Sequence, residues 1–374
     1  MRLLIITTGL DVGGAERAIY NLVLGGLDKM GEIHVVSLRD TSYYGELFRS
    51  HGVNVTCLNL QNPINLLTGF FKIFLLMKNY KPNLIQGWMY HGNIFSLLAS
   101  CLTLSKVKVV WGVRQTIYDI NKEKLLTRLI IRLCSKLSPF VDRIIYNSQK
   151  SKTQHEALGF DLKGGFYVPN GFDMSVWRPK KSTRRGIRLK LNISNDAFVI
   201  GYIGRYHPMK NIPMIFDAMK EIIKKKSDVV FLIVGENTGK ENPDLLNYYE
   251  HLPLDQIVSL GIRHDVPDIM KCIDLLCLTS SWGEGFPNVI GEAMSSGVPC
   301  ISTDIGDSAL VINNTGWIVP AKDVKSFSVA IKSAITESKE VYQSRSLSCI
   351  KRIFNNYQIQ MIINKYIEIY SSIK

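Results

Sequence analysis

The sequence lacks the marks of a membrane-spanning, disulfide-bonded or metal-binding protein. Its longest apolar run, Ile64 to Met77, is interrupted by Lys72 and is shorter than the roughly 20 residues that a spanning helix needs. The seven cysteines form no C-x-x-C pair and no His/Cys ligand spacing, so we expect reduced thiols in a reducing compartment. The apolar start, Met1 to Ile6, runs into Asp11 without a clear cleavage site, which favours a first β-strand over a signal peptide.

Three common phosphate or metal signatures are also missing. The glycine-rich turn from Gly9 to Glu16 has no Gly-Lys-Ser/Thr, so it is not the phosphate loop of NTPases. It does not contain Gly-x-Gly-x-x-Gly either, which excludes the dinucleotide fingerprint. No Asp-x-Asp sequence occurs, and we therefore expect no metal ion and no cofactor.

Positive charge is in excess and is unevenly distributed. The formal net charge is +13, and residues 1–180 hold 22 basic and 12 acidic side chains, against 23 and 20 in residues 181–374. Residues 106–152 alone hold 11 basic and 3 acidic side chains. This balance indicates an anionic partner for the first half, which is a nucleic acid, an anionic membrane or a phosphorylated substrate. The alternative is a lysine-rich composition with solvated lysines.

Short apolar runs rich in β-branched residues alternate with stretches of helical spacing. In the first half, the predicted strands lie near 2–8, 33–38, 53–58, 84–88, 107–113 and 143–147, and the predicted helices near 14–27, 64–79, 92–104 and 122–137. In the second half, strands are predicted at Phe198–Gly204 and near 229–234, 257–260, 274–278 and 298–302, with helices near 211–225, 288–296 and 322–336. The alternation predicts an α/β protein with two doubly wound, Rossmann-like domains.

The proline- and glycine-containing stretch 169–190 interrupts this alternation and is predicted to be a connector. We expect an N-terminal acceptor-binding domain over 1–178, a C-terminal nucleotide-sugar domain over 179–355, and a helix over 356–374 that crosses back to the first domain. Two such domains would face a cleft lined by the carboxyl ends of their strands, where α/β folds bind ligands.

Two candidate phosphate sites follow strands. Gly13 and Gly14 lie in a turn that opens a helix, where backbone N–H groups and the helix dipole favour an anion; the alternative is a tight turn. Gly204, Arg205 and Lys210 follow the first strand of the second half, and the two cations can grip a diphosphate from two sides. The alternative for the cations is two solvated side chains in a loop.

The segment from Ser281 to Met294 is the most informative. Pro287 suits the first turn of a helix, which leaves Glu284 in the preceding loop and Glu292 in the second turn. Two carboxylates at the edge of one cleft can accept hydrogen bonds from the hydroxyls of a polyol, and the helix start at Asn288 and Val289 suits a phosphate. A solvated pair of glutamates is the alternative.

These motifs, in this order, resemble those of the retaining family 4 glycosyltransferases, which have the GT-B fold. Glu284 and Glu292 resemble the family's Glu-x7-Glu motif, and Gly204-Arg205 with Lys210 resembles its diphosphate grip. Further resemblances are the glycine loop at 13–16, the Pro-Asn-Gly stretch at 168–173, the base-contacting turn at 261–266 and the histidine of the N-terminal domain, here His91.

The resemblance implies roles for these residues. The catalytic set is Glu284 on the donor sugar's hydroxyls, Arg205 and Lys210 on the leaving diphosphate, and His91 near the reacting centre. Glu292 would bind the ribose. The implied donor-binding residues are Gly13, Gly14, Gly204, Ile262, Arg263, Gly285, Phe286, Pro287, Asn288, Val289 and Glu292. A loop histidine bonded to backbone is the alternative for His91.

Two positions depart from the family's pattern. Met209 stands where an acidic residue is frequent, and Asn211 stands where glycine is frequent, which leaves the shape of this loop open. Arg114 follows another strand of the first domain, and we expect it to bind a phosphate of the acceptor.

The resemblance implies a retaining hexosyltransferase that uses a nucleotide-diphosphate sugar, with a UDP-hexose or UDP-N-acetylhexosamine as the expected donor. The acceptor would be a polyprenyl-diphosphate-linked saccharide in surface polysaccharide assembly, such as O-antigen or lipopolysaccharide. A GT-B-shaped nucleotide-sugar epimerase or hydrolase is the nearest alternative. A nucleic-acid-binding protein is a further one, but no nucleic-acid motif is present, and we expect no nucleic-acid partner.

Two amphipathic stretches favour a membrane surface. The helix from Ile64 to Met77 is apolar with lysines at its end, and residues 122–137 combine leucine and isoleucine with five cations. Helices packed on a sheet are the alternative. With the charge of the first half, these stretches predict a cytoplasmic enzyme attached peripherally to the inner face of the cell membrane.

Overall fold

The computed structural model describes residues 1–40, 42–102 and 106–373. The chain forms two compact units. One consists of residues 1–171 together with the segment that begins at Ile359, and the other of Phe172–Gln358. The predicted boundaries, 178/179 and 355/356, lie seven residues after and three residues before these divisions.

The first unit is built on a seven-stranded sheet in the order β3-β2-β1-β4-β5-β6-β7, in which every described strand pair is parallel. Its strands are β1 (Arg2–Thr7), β2 (Glu32–Ser37), β3 (Asn54–Cys57), β4 (Leu84–Trp88), β5 (Lys108–Val113), β6 (Arg143–Tyr146) and β7 (Gly165–Tyr167). Its helices are α1 (Gly14–Leu24), α2 (Tyr43–Ser50), α3 (Leu66–Tyr80), α4 (Met89–Ser100), α5 (Leu125–Leu137) and α6 (Gln149–Ala157).

The second unit has a six-stranded sheet in the order β10-β9-β8-β11-β12-β13, again parallel throughout its described pairs. Its strands are β8 (Phe198–Ile203), β9 (Val229–Val234), β10 (Ile257–Ser259), β11 (Leu275–Leu278), β12 (Cys300–Thr303) and β13 (Trp317–Val319). Its helices are α7 (Met174–Trp177), α8 (Lys181–Lys190), α9 (Pro213–Ile223), α10 (Pro243–Glu250), α11 (Val266–Met270), α12 (Asn288–Ser295), α13 (Ser308–Ile312), α14 (Val324–Thr336) and α15 (Lys339–Tyr357). The last helix, α16 (Ile359–Ser371), belongs to the first unit.

Both sheets are buried on both faces, which explains their continuous apolar strands. In the first unit, α1, α2 and α16 cover one face and α3, α4 and α5 lie on the other. The core side chains of α16 include Ile362, Ile363 and Tyr366, all nearly inaccessible. The α/β architecture with two doubly wound sheets that the sequence predicts is therefore confirmed.

The chain passes between the units at two places that lie side by side. The backbone N–H of Phe172 donates to the carbonyl of Tyr357 at 2.8 Å, and Phe172 forms an isolated parallel bridge with Gln358. A Cβ on Gly171 would lie 2.8 Å from Cα of Ile359, so this position has no room for a side chain.

The stretch 169–190, predicted as a connector, instead contains α7 and α8. Arg188 on α8 is fully buried, and its guanidinium lies 2.6 Å from Asp274, which Arg184 also contacts at 2.6 Å. Asp274 further accepts the backbone N–H of Val199 at 2.8 Å. Arg188 also donates to the carbonyls of Ser194, Asn195, Ala197 and Cys272. The sequence did not predict α8 because this stretch is rich in cations. Its buried side chain, that of Arg188, belongs to an ion cluster instead of an apolar core.

We predict that Arg188→Ala lowers the free energy of unfolding by about 3–5 kcal/mol, because it leaves Asp274 and several carbonyls buried with fewer partners. For a unit of this size the melting temperature should fall by about 10 °C. Arg185→Ala, on the exposed side of α8, is the matched control and should change it little. Equal melting temperatures for the two variants in calorimetry would contradict the structural role of Arg188.

Candidate functional site

The loop that follows β11 is fixed to the turn that follows β8. The hydroxyl of Thr279 donates to the carbonyl of Lys210 at 2.9 Å, and the N–H of Ser281 donates to the carbonyl of Met209 at 2.7 Å. These bonds join the turn with the predicted diphosphate-binding residues Arg205 and Lys210 to the loop 279–287, which contains Glu284 and is called the sugar loop below. Both lie at the carboxyl edge of the second sheet.

Glu284 and Lys210 form an ion pair in this structure. Glu284 is only 8% exposed, and its Oε1 accepts the ammonium of Lys210 and, at 2.6 Å, the hydroxyl of Ser280. Partial burial strengthens this attraction relative to water. The sequence predicts separate ligands for the two residues, sugar for Glu284 and diphosphate for Lys210, whereas the structure shows that each is also the other's partner.

The two departures from the family's pattern have a physical explanation. Asn211 has φ +46°, in the left-handed region that asparagine tolerates better than most residues. Met209 packs on Gly283, which has φ +77°, and a Cβ on Gly283 would lie 2.3 Å from Sδ of Met209. Methionine at this position thus fills the space above a glycine in the sugar loop.

Three strand ends meet at the side of the sheet where Arg205 lies. The N–H of Gly204 donates to the carbonyl of Val234, and the N–H of Gly235 donates to the carbonyl of Gly261, both at 2.8 Å. A Cβ on Gly235 would lie 2.0 Å from the carbonyl oxygen of Gly204. Arg205 itself is exposed. The backbones of Gly204 and Gly235 thus lie very close together, and the exposed Arg205 follows directly after Gly204.

Helix α12 carries Glu292, which is 4% exposed and lies in its second turn. Pro287 immediately precedes α12, whose first residues Asn288 and Val289 are half-buried. Phe286 is buried and stacks on Phe172 with ring centroids 6.1 Å apart. Gly285 is buried, and its carbonyl accepts the N–H of Asp307 at 2.9 Å. The predicted sugar loop is therefore fixed by the ring of Phe172 and by the backbone N–H of Asp307.

Ile262 and Arg263 follow β10. Ile262 is 60% exposed, which suits a surface for a flat base. The guanidinium of Arg263 makes two hydrogen bonds to Asp265, of 2.8 and 2.7 Å. The hydrogen bonds from Arg263 hold the pKa of Asp265 below its usual value. Arg263 is thus already engaged by a carboxylate.

His91 lies at the carboxyl edge of the first sheet, where β4 passes into α4 without a loop. Met89 begins α4 with φ +65°, and a Cβ on Gly92 would lie 2.4 Å from the carbonyl oxygen of Ile6. The ring of His91 is partly exposed, but burial of the remainder lowers its pKa and the charge of Arg39 lowers it further. Both effects favour the neutral form of the His91 imidazole.

Gly13 and Gly14 begin α1. Gly13 has an extended backbone, and a Cβ there would lie 2.3 Å from Oε2 of Glu16. No left-handed conformation requires glycine here, and a side chain at position 13 would have to displace the carboxylate of Glu16. Gly14 is the first helical residue.

Arg114 is half-buried and is engaged by side chains of its own unit. Its guanidinium stacks 3.8 Å from the ring centroid of Trp88, donates to Asn170 at 2.7 Å, and bonds the hydroxyl of Tyr366 on α16. Burial lowers the pKa of Arg114, an effect that Tyr366 opposes. The structure therefore gives Arg114 an internal partnership with the last helix, while its binding of an acceptor phosphate stays a prediction.

Two residues at these edges were not selected from the sequence. Trp282, in the sugar loop, is 44% exposed, while the other four tryptophans, all within the described ranges, are buried or half-buried. Arg39 follows β2 and lies beside Gly9. A position directly after a predicted strand was the available signal for Arg39, but an isolated arginine carries no motif.

Within residues 1–40, 42–102 and 106–373, no three His, Cys, Asp or Glu side chains are grouped so that they could hold a metal ion. In the same ranges, no helix combines the length and apolar character that crossing a membrane requires.

Sequence comparison gives two family matches that together span most of the chain. Residues 12–176 match the model described as Glycosyltransferase Family 4, and residues 197–337 match the model described as Glycosyl transferases group 1. The UDP-Gal:alpha-D-GlcNAc-diphosphoundecaprenol alpha-1,3-galactosyltransferase of Escherichia coli is 28% identical over 338 residues, which are 88% of this chain and 85% of that protein.

Solved structures with the same fold cover the whole chain. Anabaena HepE in complex with UDP superposes with a TM-score of 0.86 at 21% identity, over 100% of both chains. The complex of HepE with UDP-glucose gives 0.84 at 22% identity, again over 100% of both. With its two doubly wound sheets and matches along both halves, the chain belongs to the family 4 glycosyltransferases, enzymes of the GT-B fold.

Proposed function

We propose that this glycosyltransferase moves a hexose or N-acetylhexosamine, with retention of configuration, from a UDP-sugar to a hydroxyl of a polyprenyl-diphosphate-linked saccharide. The step would belong to surface polysaccharide assembly, such as that of O-antigen or lipopolysaccharide. The Glu284–Lys210 pair at the carboxyl edge of the second sheet is the observation that carries the proposal. The E. coli relative, named for UDP-Gal and a diphosphoundecaprenol acceptor, supports the choice of substrates, as do the UDP complexes of HepE.

The donor side of the reaction follows from the chemistry of this pair. A carboxylate held by Ser280 and Lys210 is fixed in position and accepts hydrogen bonds from sugar hydroxyls. When a diphosphate binds, the ammonium of Lys210 gains a doubly charged partner beside Glu284, and Arg205 contributes an exposed fork of donors. Glu292 and Ile262 would receive the ribose and the base.

The transfer breaks the bond between the anomeric carbon and the diphosphate oxygen and forms a bond from the acceptor oxygen on the same face. The leaving UDP takes the bonding electron pair, and its phosphate oxygen takes the proton of the acceptor hydroxyl. Arg205 and Lys210 stabilise the charge that develops on the phosphate. His91 would remain neutral and hydrogen-bond the sugar. We expect these cations to suffice without a metal ion or cofactor.

The activity is tested by incubating the protein with UDP-sugars, with and without an undecaprenyl-diphosphate-linked monosaccharide. We expect lipid-linked disaccharide, with UDP release that depends on the acceptor, and an α-linkage from an α-configured donor. UDP and free sugar formed at the same rate without acceptor would instead identify a hydrolase, and a free epimerised sugar would identify an epimerase.

We predict that Glu284→Gln lowers kcat/KM for the UDP-sugar by a factor on the order of 100, because it removes a charge that orients the sugar and Lys210. Glu292→Gln should act mainly on the donor KM, by about tenfold. Glu221→Gln, an exposed change on α9, is the matched control. Wild-type kinetics for a folded Glu284→Gln protein, checked by its melting temperature, would contradict the proposed role.

We also propose peripheral attachment to the inner face of the cytoplasmic membrane. Only Gly69, Ile73 and Met77 of α3 are buried, and the exposed fractions of Ile64 and Leu67, at its start, are 84% and 85%. On α5, Leu125 and Leu126 are 65% and 68% exposed, and Arg132 and Lys136 are exposed beside them. No acidic residue occurs between Glu46 and Asp119. Exposed apolar side chains next to cations suit an anionic bilayer surface.

We predict that Leu67→Glu weakens binding to vesicles of phosphatidylcholine and phosphatidylglycerol by about tenfold or more, because a buried leucine contributes roughly 1.5–3 kcal/mol. Val329→Glu on α14 changes an apolar side chain of 64% exposure in the second unit and is the matched control. Vesicle flotation at low salt measures the effect. Equal flotation of the two variants would refute this surface, and a wild-type protein that never floats would refute attachment itself.

A further inference from the structure

Three loops at the carboxyl edge of the first sheet are joined by their backbones. The N–H of Leu38, after β2, donates to the carbonyl of Thr7 at 3.0 Å, and the N–H of Tyr44 donates to Leu10 at 3.0 Å. Helix α4 approaches the same edge, since Gly92 packs against Ile6. The ends of β1, β2 and β4 are therefore held together.

Arg39 directly follows Leu38 in this group of loops and lies beside Gly9. Its Cδ lies 3.5 Å from the position that a Cβ on Gly9 would take, so the aliphatic part of the arginine lies along the glycine. The same position is 3.6 Å from Oδ2 of Asp11, the nearest carboxylate recorded there. Arg39 is exposed, and its guanidinium makes no hydrogen bond or ion pair with any residue of the described ranges. Its five donors are accordingly accessible to a ligand.

The electrostatic effect of Arg39 reaches His91. The positive charge of Arg39 is the one charge that acts on the imidazole strongly enough to lower its pKa beyond the effect of burial. Arg39 therefore acts electrostatically on His91, although the two residues are 52 positions apart in the sequence.

Arg114, the cation predicted from the sequence for the acceptor's phosphate, differs in its surroundings. Its guanidinium is covered by Trp88 and engaged by Asn170 and Tyr366. A ligand would have to displace these groups to reach it. Arg39, at the same edge, has no such partner in the described part of the chain.

We propose that Arg39 binds a phosphate of the acceptor's diphosphate linkage, an inference that rests on the proposed function. A guanidinium binds phosphate oxygens through two parallel hydrogen bonds, which fixes the orientation of the group as well as its position. Glycine at position 9 allows the aliphatic part of Arg39 to lie along the backbone there. Arg39 is thus a binding residue of the acceptor, whereas Arg114 is engaged by Trp88, Asn170 and Tyr366 of the same unit.

The test compares two acceptors that carry the same sugar and lipid, one joined through diphosphate and one as an alkyl glycoside. Arg39→Gln should raise KM for the diphosphate acceptor by about 10- to 100-fold, since a hydrogen bond to a charged group contributes roughly 1.5–3 kcal/mol. KM for the alkyl glycoside and for the UDP-sugar should not change, and Arg39→Lys should recover part of the loss. Lys29→Gln, an exposed change in the same unit, is the matched control.

A second readout does not depend on turnover. Farnesyl diphosphate is titrated into the protein in saturating UDP, which occupies the donor's diphosphate site. Wild type should bind it and Arg39→Gln should bind at least tenfold more weakly. In an NMR titration, the pKa of His91 should rise in Arg39→Gln, because a positive neighbour has been removed.

Equal affinity of wild type and Arg39→Gln for farnesyl diphosphate would overturn the assignment, and so would an equal rise of KM for both acceptors. Absence of transfer to any lipid-linked saccharide, with farnesyl diphosphate still bound through Arg39, would refute the proposed function while the phosphate site stands.

Discussion

The ion pair between Glu284 and Lys210 joins two loops at the carboxyl edge of the second unit's sheet. One partner follows β11 and the other follows β8, and these strands are neighbours in the sheet, so the pair and the backbone hydrogen bonds around it fix two loops against each other. A carboxylate that is nearly inaccessible to water requires such a cation. The geometry of the sugar loop, including the close contact between Met209 and Gly283, depends on this requirement.

Much of this arrangement follows from the sequence because it rests on local patterns. The apolar runs that became β1, β2, β4 and β5 are buried on both sides, and parallel pairing brings their carboxyl ends to one edge. The loop with Glu284 and the helix with Glu292 were predicted within one residue, since Pro287 marks the start of α12. The fold was therefore predictable from periodicity, and its functional edges from the strand ends.

The remainder depends on contacts that no local pattern encodes. Helix α8 was missed because its one fully buried side chain is that of Arg188, which pairs with Asp274. The surroundings of Arg114 could not be foreseen, since Tyr366 is 252 residues away in the chain. The ion pair between Glu284 and Lys210 was not predicted either. Their motifs indicated only that Glu284 binds the sugar and that Lys210 binds the diphosphate.

The discontinuity of the first unit has a consequence for synthesis of the chain on the ribosome. Tyr366 and Ile362, which complete the core of the first sheet, are translated after all of Phe172–Gln358. The second unit is contiguous and can complete its core while the first still exposes the face that α16 covers. The core of the first unit is therefore completed only when the last helix has been synthesised.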